Sequence, residues 1–192
     1  DTDLQFYQEI IWDRKNTLAL DARYLFAKTE RIYWFCKRVR NGNGKSTMKV
    51  GFTASTFDLL HAGHIAMLSE AKTVCNYLIA GLHVNPNIER EEKNLPVQTL
   101  VERYTQLKAV SYVDEIIPYE SENDLMDILK MYPINIRIIG EEYRDKDFTG
   151  KNLDMEIYYN KRRHDFSSSL LRERVVKHEQ FKVKLQVNNV SR

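Results

Sequence analysis

The sequence predicts an α/β fold: a Rossmann-like, doubly wound parallel sheet of about five strands, with an N-terminal helical extension. Three observations predict it. From Met48 onward, strand-like apolar runs alternate with segments whose apolar residues recur at helical spacing. One run, "YLIAGLHV" (residues 77–84), is apolar almost throughout, as a strand covered on both faces must be. The length, 192 residues, suits one such domain with an appendage and can bury a real core.

The elements are expected in the following order. "LQFYQEIIW" (4–12) reads as a short helix. "ALDARYLFAKTERIYWFCKRVR" (19–40) reads as a longer one, with Tyr24, Leu25, Ile32, Phe35 and Cys36 able to share a face. "NGNGKST" (41–47) has the composition of a linker. Residues 1–47 are thus expected to be a helical extension, natural or fused. The domain proper is expected over 48–180. "MKVGFTA" (48–54) is its first strand, and a helix follows Gly63 to about Cys75. After the buried strand come a helix over 96–110, with Pro96 at a tolerated early position, a short strand "DEIIPY" and a helix "ENDLMDILKMY". "NIRIIG" (135–140) is the next strand, followed by a polar loop to about Asp154. "MEIYYN" is the last strand and "SSSLLRERVVKHE" the final helix. Residues 181–192 alternate weakly and read as a strand or coil tail.

Composition excludes some classes. No apolar stretch approaches the length of about 18 residues needed for a membrane span. Cys36 and Cys75 form neither a metal-type cluster nor a disulfide framework, so a reducing cytoplasm is the expected location. Nine Lys/Arg against six Asp/Glu leave residues 1–47 at +3, and twenty against twenty-one leave the rest at −1. That weak basic bias is read as a solvated helix face rather than a nucleic-acid surface.

The chemistry concentrates in "TFDLLHAGHIAML" (56–68), at the carboxyl end of the first strand, where open α/β sheets bind ligands. A helix start presents free N–H groups and a positive dipole end, and so attracts anions. Gly63 permits close approach of a ligand to the backbone. His61 and His64, three apart, project from one side of a helical turn and can both donate to one phosphate. Phosphoryl or nucleotidyl transfer by alignment and charge stabilisation fits this arrangement, and two surface histidines beside a turn are the plain alternative. Zinc is a weaker reading, because the spacing is not the helical i, i+4 pair and no third ligand is evident; no metal ligands are therefore assigned. Ser167, Ser168 and Ser169, at a predicted helix start, make an anion cradle or a simple cap.

"TFDLLHAGHIAML" closely resembles the HxGH signature of the cytidylyltransferase-like nucleotidyltransferases. Three further stretches resemble that family in order. They are "SYVDEIIP" (111–118), "IIGEEY" (138–143) and "RRHDFSSSLLRERV" (162–175), and the likeness is nearest to glycerol-3-phosphate and ethanolamine-phosphate cytidylyltransferases. The resemblance implies that Thr56 and Phe57 run along the nucleotide phosphates and that His61 and His64 stabilise the pentavalent α-phosphate. It further implies that Arg162, or its neighbour Arg163, counters phosphate charge, and that Ser167–Ser169 bind phosphates. Asp58 is expected to be structural. Lys93, Arg103, Glu141 and Glu142 are substrate-side candidates. CTP is the favoured donor, with Mg²⁺ arriving on the triphosphate. The "FSSSLLRE" stretch also resembles adenylyltransferases, which keeps ATP with a sugar-phosphate acceptor open. A homodimer is implied as well. A non-catalytic scaffold that retained the fold is the alternative class. Ser111 stands where the family carries arginine, Glu91 and Glu92 flank Lys93, and Glu120, Glu122 and Asp124 follow Pro118. These departures argue against glycerol 3-phosphate as acceptor.

Overall fold

A computed structural model describes residues 48–190. The expected helices at 4–12 and 19–40, the linker at 41–47 and Cys36 lie outside the described residues. The domain is built from β1 (Val50–Ser55), α1 (Ala62–Val74), β2 (Tyr77–His83), α2 (Leu100–Lys108), β3 (Glu115–Tyr119), α3 (Glu122–Met131), β4 (Ile136–Gly140), a single 3₁₀ turn (Glu141–Tyr143), β5 (Glu156–Asn160) and α4 (Ser168–Val190). The five strands form one sheet in the order β3-β2-β1-β4-β5, and every pair is parallel.

Period-two alternation sends side chains to two separate cores. Leu78, Ala80 and Leu82 of β2 pack with Leu68 and Ala71 of α1 and Leu107 of α2. Ile79 of β2 and Phe52 of β1 face the other way, towards Leu125, Ile128 and Leu129 of α3. The sheet is therefore covered on both faces, as the apolar strands require. Chain order runs outward from β1 to β3 and then returns to β4 on the other side of β1. This reversal places the β1–α1 connection at the crevice where doubly wound sheets take ligands.

Two boundaries differ from the sequence expectation. The helix expected from Pro96 starts only at Leu100. The amides of Val97 and Gln98 donate to the Asp58 carboxylate instead of entering the helix, and Thr99 and Glu102 close a reciprocal cap. The stretch expected as a strand or coil tail after Gln180 continues α4 as far as Val190. No Gly or Pro follows Gly150, so nothing in the sequence stops that helix. Pro118 sits within β3, which is tolerated because β3 is an edge strand.

Gly51 of β1 packs against Cys75, the residue that caps the end of α1. A Cβ there would lie 2.6 Å from Cys75 Sγ and 2.9 Å from Ile138 Cδ1. Gly51→Ala should destabilise the domain by about 1–3 kcal/mol through overpacking. A lowered urea midpoint at unchanged slope is the expected result, and an unchanged midpoint would show that α1 can move away.

Candidate active site

The β1–α1 connection is held in an unfavourable backbone conformation. Phe57 and Leu59 adopt φ of 49° and 48°, the left-handed region that non-glycine residues seldom enter. Tertiary contacts hold them there. Phe57 is 1% exposed and packs in the α1-side core. Leu59 N–H donates to Gln98 Oε1 at 2.7 Å. Arg103, itself buried, donates to the carbonyls of Thr56, His83, Val84 and Gln98 at 2.7–3.2 Å. Its guanidinium is fully engaged by backbone and does not line the cavity described below, so it clamps the loop rather than facing a substrate.

Asp58 organises the rest. Its buried carboxylate accepts from the amides of Val97 (3.0 Å) and Gln98 (2.9 Å) and pairs with Arg172 of α4 at 2.6 Å. Ser168 donates to the Asp58 carbonyl at 3.2 Å. Burial alone would raise the Asp58 pKa, but the bonds from Gln98, Val97 and Arg172 outweigh it and hold the carboxyl below its ordinary value. The start of α4 is thereby tied to the histidine loop. Ser167 caps it, accepting from Leu170 N–H at 3.1 Å. Ser169 is exposed.

His61 is the N-cap of α1. Its Nδ1 accepts from Gly63 N–H at 3.0 Å, and His64 Nδ1 accepts from His61 N–H at 3.4 Å. Each ring nitrogen facing the backbone is an acceptor, so the remaining Nε2 of each neutral imidazole carries the proton. The two rings stack with centroids 4.0 Å apart. Burial pushes His64 down to about 4, the nearby His61 adds to the effect and Asp58 opposes it. Burial also lowers His61, followed by the charges of His164 and Arg162. Both rings are therefore neutral donors at pH 7. Arg162 donates to the Phe166 carbonyl at 3.0 Å and acts on His61, whereas Arg163 acts on Tyr158. This distinguishes the two neighbours in space.

Two site residues escaped the sequence reading. His164 lies against Gly63: a Cβ at that glycine would sit 2.8 Å from His164 Cε1 and 2.9 Å from His61 Cε1. The glycine thus makes room for imidazole rings. His164 Nδ1 is buried and has no hydrogen-bond partner among the described residues. Its position two residues after Arg162 was the available signal. Arg172 was missed because its partner, Asp58, lies 114 residues away.

A cavity of about 650 Å³ opens at this end of the sheet. Thr56, Phe57, His64, Ser168 and Arg172 line one part of it, and Lys93 and Glu142 also reach it. His61, Arg162, Ser167 and Ser169 stand outside its wall, and Glu141 is exposed beside Arg144 at 3.6 Å. The strand ends and His64 share one crevice, with the His61 ring stacked on His64 outside its wall. A family model described as cytidylyltransferase-like matches residues 52–174.

The chain belongs to the cytidylyltransferase-like family. Within that family it resembles the bifunctional protein HldE of Caulobacter vibrioides, at 31% identity over 118 residues, 61% of this chain and 24% of the relative. The HldE protein of Campylobacter jejuni is 28% identical over 148 residues, 73% of this chain and 32% of the relative. The chain spans about a quarter to a third of the length of these curated relatives. Among solved structures, a lipopolysaccharide core biosynthesis protein from Thermoplasma volcanium superposes with a TM-score of 0.48 at 22% identity, covering 59% of this chain and 95% of that one. A pantoate-β-alanine ligase from Francisella tularensis superposes with a TM-score of 0.47 at 16% identity, covering 71% and 66%.

Asp58→Ala should cost about 3 kcal/mol or more, because Arg172 and two amides lose their buried acceptor. Urea unfolding checks this, and a loss below about 1 kcal/mol would demote the anchor. A second expectation concerns pH. The folded-state value of His64 lies below the ordinary 6.5, so the unfolded chain takes up the proton first as pH falls. The stability His64 contributes is complete above about pH 6.5 and is lost as pH drops towards about 4. Between pH 7 and 5 the loss is about 2 kcal/mol. The stability of His64→Gln should decline less over that interval, and an equal decline would assign the effect to another group.

Proposed function

We propose that the protein is a nucleotidyltransferase: it transfers a nucleoside monophosphate from a nucleoside triphosphate to a small phosphorylated acceptor and releases pyrophosphate. The observation that carries the reading is the pair of neutral, backbone-oriented histidines beside the start of α4, on one crevice of a cytidylyltransferase-like domain. In this reading an acceptor phosphate oxygen attacks the α-phosphorus in line. The new P–O bond forms as the bond to pyrophosphate breaks. His64 Nε2–H, with His61 behind it, donates to the α-phosphoryl oxygens as their charge grows, and no proton leaves the imidazole. Ser168, which lines the cavity, and the first amides of α4 receive the outgoing phosphates, with Arg162, beside His61 outside the wall, adding positive charge. Among the described residues no cluster of three or more His, Cys, Asp or Glu could hold a metal. In this scheme Mg²⁺ arrives on the triphosphate, where it neutralises phosphate charge. We propose a homodimer as the assembled form, to be tested by light scattering.

Two triphosphates have specific support. "YVDEII" and "GEEY" favour CTP with an alcohol-phosphate acceptor. The serine-rich start of α4 favours ATP with a sugar phosphate. Pyrophosphate release separates them: CTP and ATP are each incubated with glucose 1-phosphate, glycerol 3-phosphate and phosphoethanolamine. Activity with one base only decides the donor, and release from neither refutes the transferase reading. With the active pair, His61→Ala and His64→Ala should each lower turnover by about 10²–10³ while nucleotide affinity changes far less. Near-normal turnover in both would remove them from the mechanism.

A further inference from the structure

The two substrates of such a transfer need separate places, and the cavity offers two unlike walls. His64 and the start of α4 belong to the α1 side. Glu122 and Leu125 of α3 line the opposite side, and Arg137 of β4, in register with Phe52 of β1, lines the cavity with them. It stands three residues before the end of its strand, about 10 Å below the edge of the sheet. Arg137 is 5% exposed and lines the cavity. Its Nη1 is buried with no hydrogen-bond partner, and among the described residues it makes no ion pair.

The surroundings are built around this side chain. Phe148 places its ring 5.2 Å from the guanidinium carbon. Gly150, at φ +80°, leaves room for it: a Cβ there would lie 2.8 Å from Nη1. The nearby carboxylate of Glu122 is already engaged by Arg90 and by the Thr149 hydroxyl. Arg172, the other deep cation of the cavity, is neutralised by Asp58. Burial lowers Arg137 to about 10, so it still carries its charge at neutral pH. A buried cation without a counter-ion is destabilising, and proteins keep such groups where a ligand completes them.

We propose that the α3-side wall of the cavity is the acceptor subsite, and that Arg137 receives an oxyanion of the phosphorylated acceptor. This rests on the nucleotidyl-transfer reading. The guanidinium fork suits a phosphoryl group or a carboxylate, and Phe148 holds its plane. The nucleotide keeps the α1 side, where α4 and the histidines stand.

The test uses Arg137→Met, which matches the side-chain bulk without the charge, and Arg137→Lys, which keeps the charge without the fork. The acceptor is whichever member of the panel above gives most pyrophosphate with the wild type. In Arg137→Met the acceptor KM should rise about ten- to a hundredfold, the loss expected for a charged hydrogen bond. Nucleotide KM should stay within about twofold, and Tm should be unchanged or higher, because an unpaired buried charge has gone. Arg137→Lys should recover part of the acceptor affinity. A Tm that falls while acceptor KM is unchanged makes Arg137 structural and overturns the inference. A raised nucleotide KM with unchanged acceptor KM overturns it by moving the contact to the triphosphate. In both cases the wild type still turns over and the transferase reading survives, whereas a wild type that releases no pyrophosphate refutes both.

Discussion

One buried carboxylate sets the geometry on which the candidate site depends. Asp58 accepts from two backbone amides of the segment before α2 and from Arg172 near the start of α4, and its own carbonyl accepts from Ser168. Two stretches far apart in the chain converge on one residue of the β1–α1 loop. That loop would not hold its shape alone, because Phe57 and Leu59 both occupy left-handed backbone. The burial of Phe57, the clamp of Arg103 on four carbonyls and the bonds to Asp58 offset the strain. The free amides of α4 are thereby carried to the same crevice as the histidines.

The histidines gain their chemical character from the same enclosure. An exposed imidazole titrates near neutrality and would be an uncertain donor. Burial and neighbouring cationic groups hold both rings neutral, and the amides of His61 and Gly63 orient each Nδ1 inward. The outcome is a pair of oriented N–H dipoles that need not exchange protons. Preorganised dipoles of this kind stabilise developing charge without reorganising at the moment of reaction. His164 completes the enclosure and explains why position 63 carries no side chain.

The cavity is electrostatically uneven. Its α1 side is internally balanced, with Arg172 paired to Asp58, while its α3 side keeps Arg137 without a partner among the described residues. Well-packed apolar residues would make the α3 side more stable. A fold that retains an unpaired cation there accepts lower stability at a place where a ligand can restore it, a common compromise at functional sites.

Much of the architecture was legible in the chain because it depends on local periodicity. Short apolar runs marked all five strands, helical spacing marked the four helices between and after them, and the strand-to-helix position of His61 and His64 located the crevice. Local signals failed where a distant partner decided the outcome. Pro96 to Gln98 look helical, yet Asp58, about 40 residues earlier, draws their amides away. Residues after Gln180 alternate only weakly and read as strand or coil, yet α4 continues through them to Val190. Arg103 has the chemistry of a substrate ligand, and only the fold shows its guanidinium filled by carbonyls. Arg137, in the middle of an apolar strand, carries no spacing signal at all. By itself, then, the sequence determined the parallel sheet, its order of elements and the histidine turn, since these follow from patterns within a few residues. The tertiary structure alone decided which charges are satisfied by protein and which are left open, because burial and pairing are properties of contacts between segments that only folding brings together.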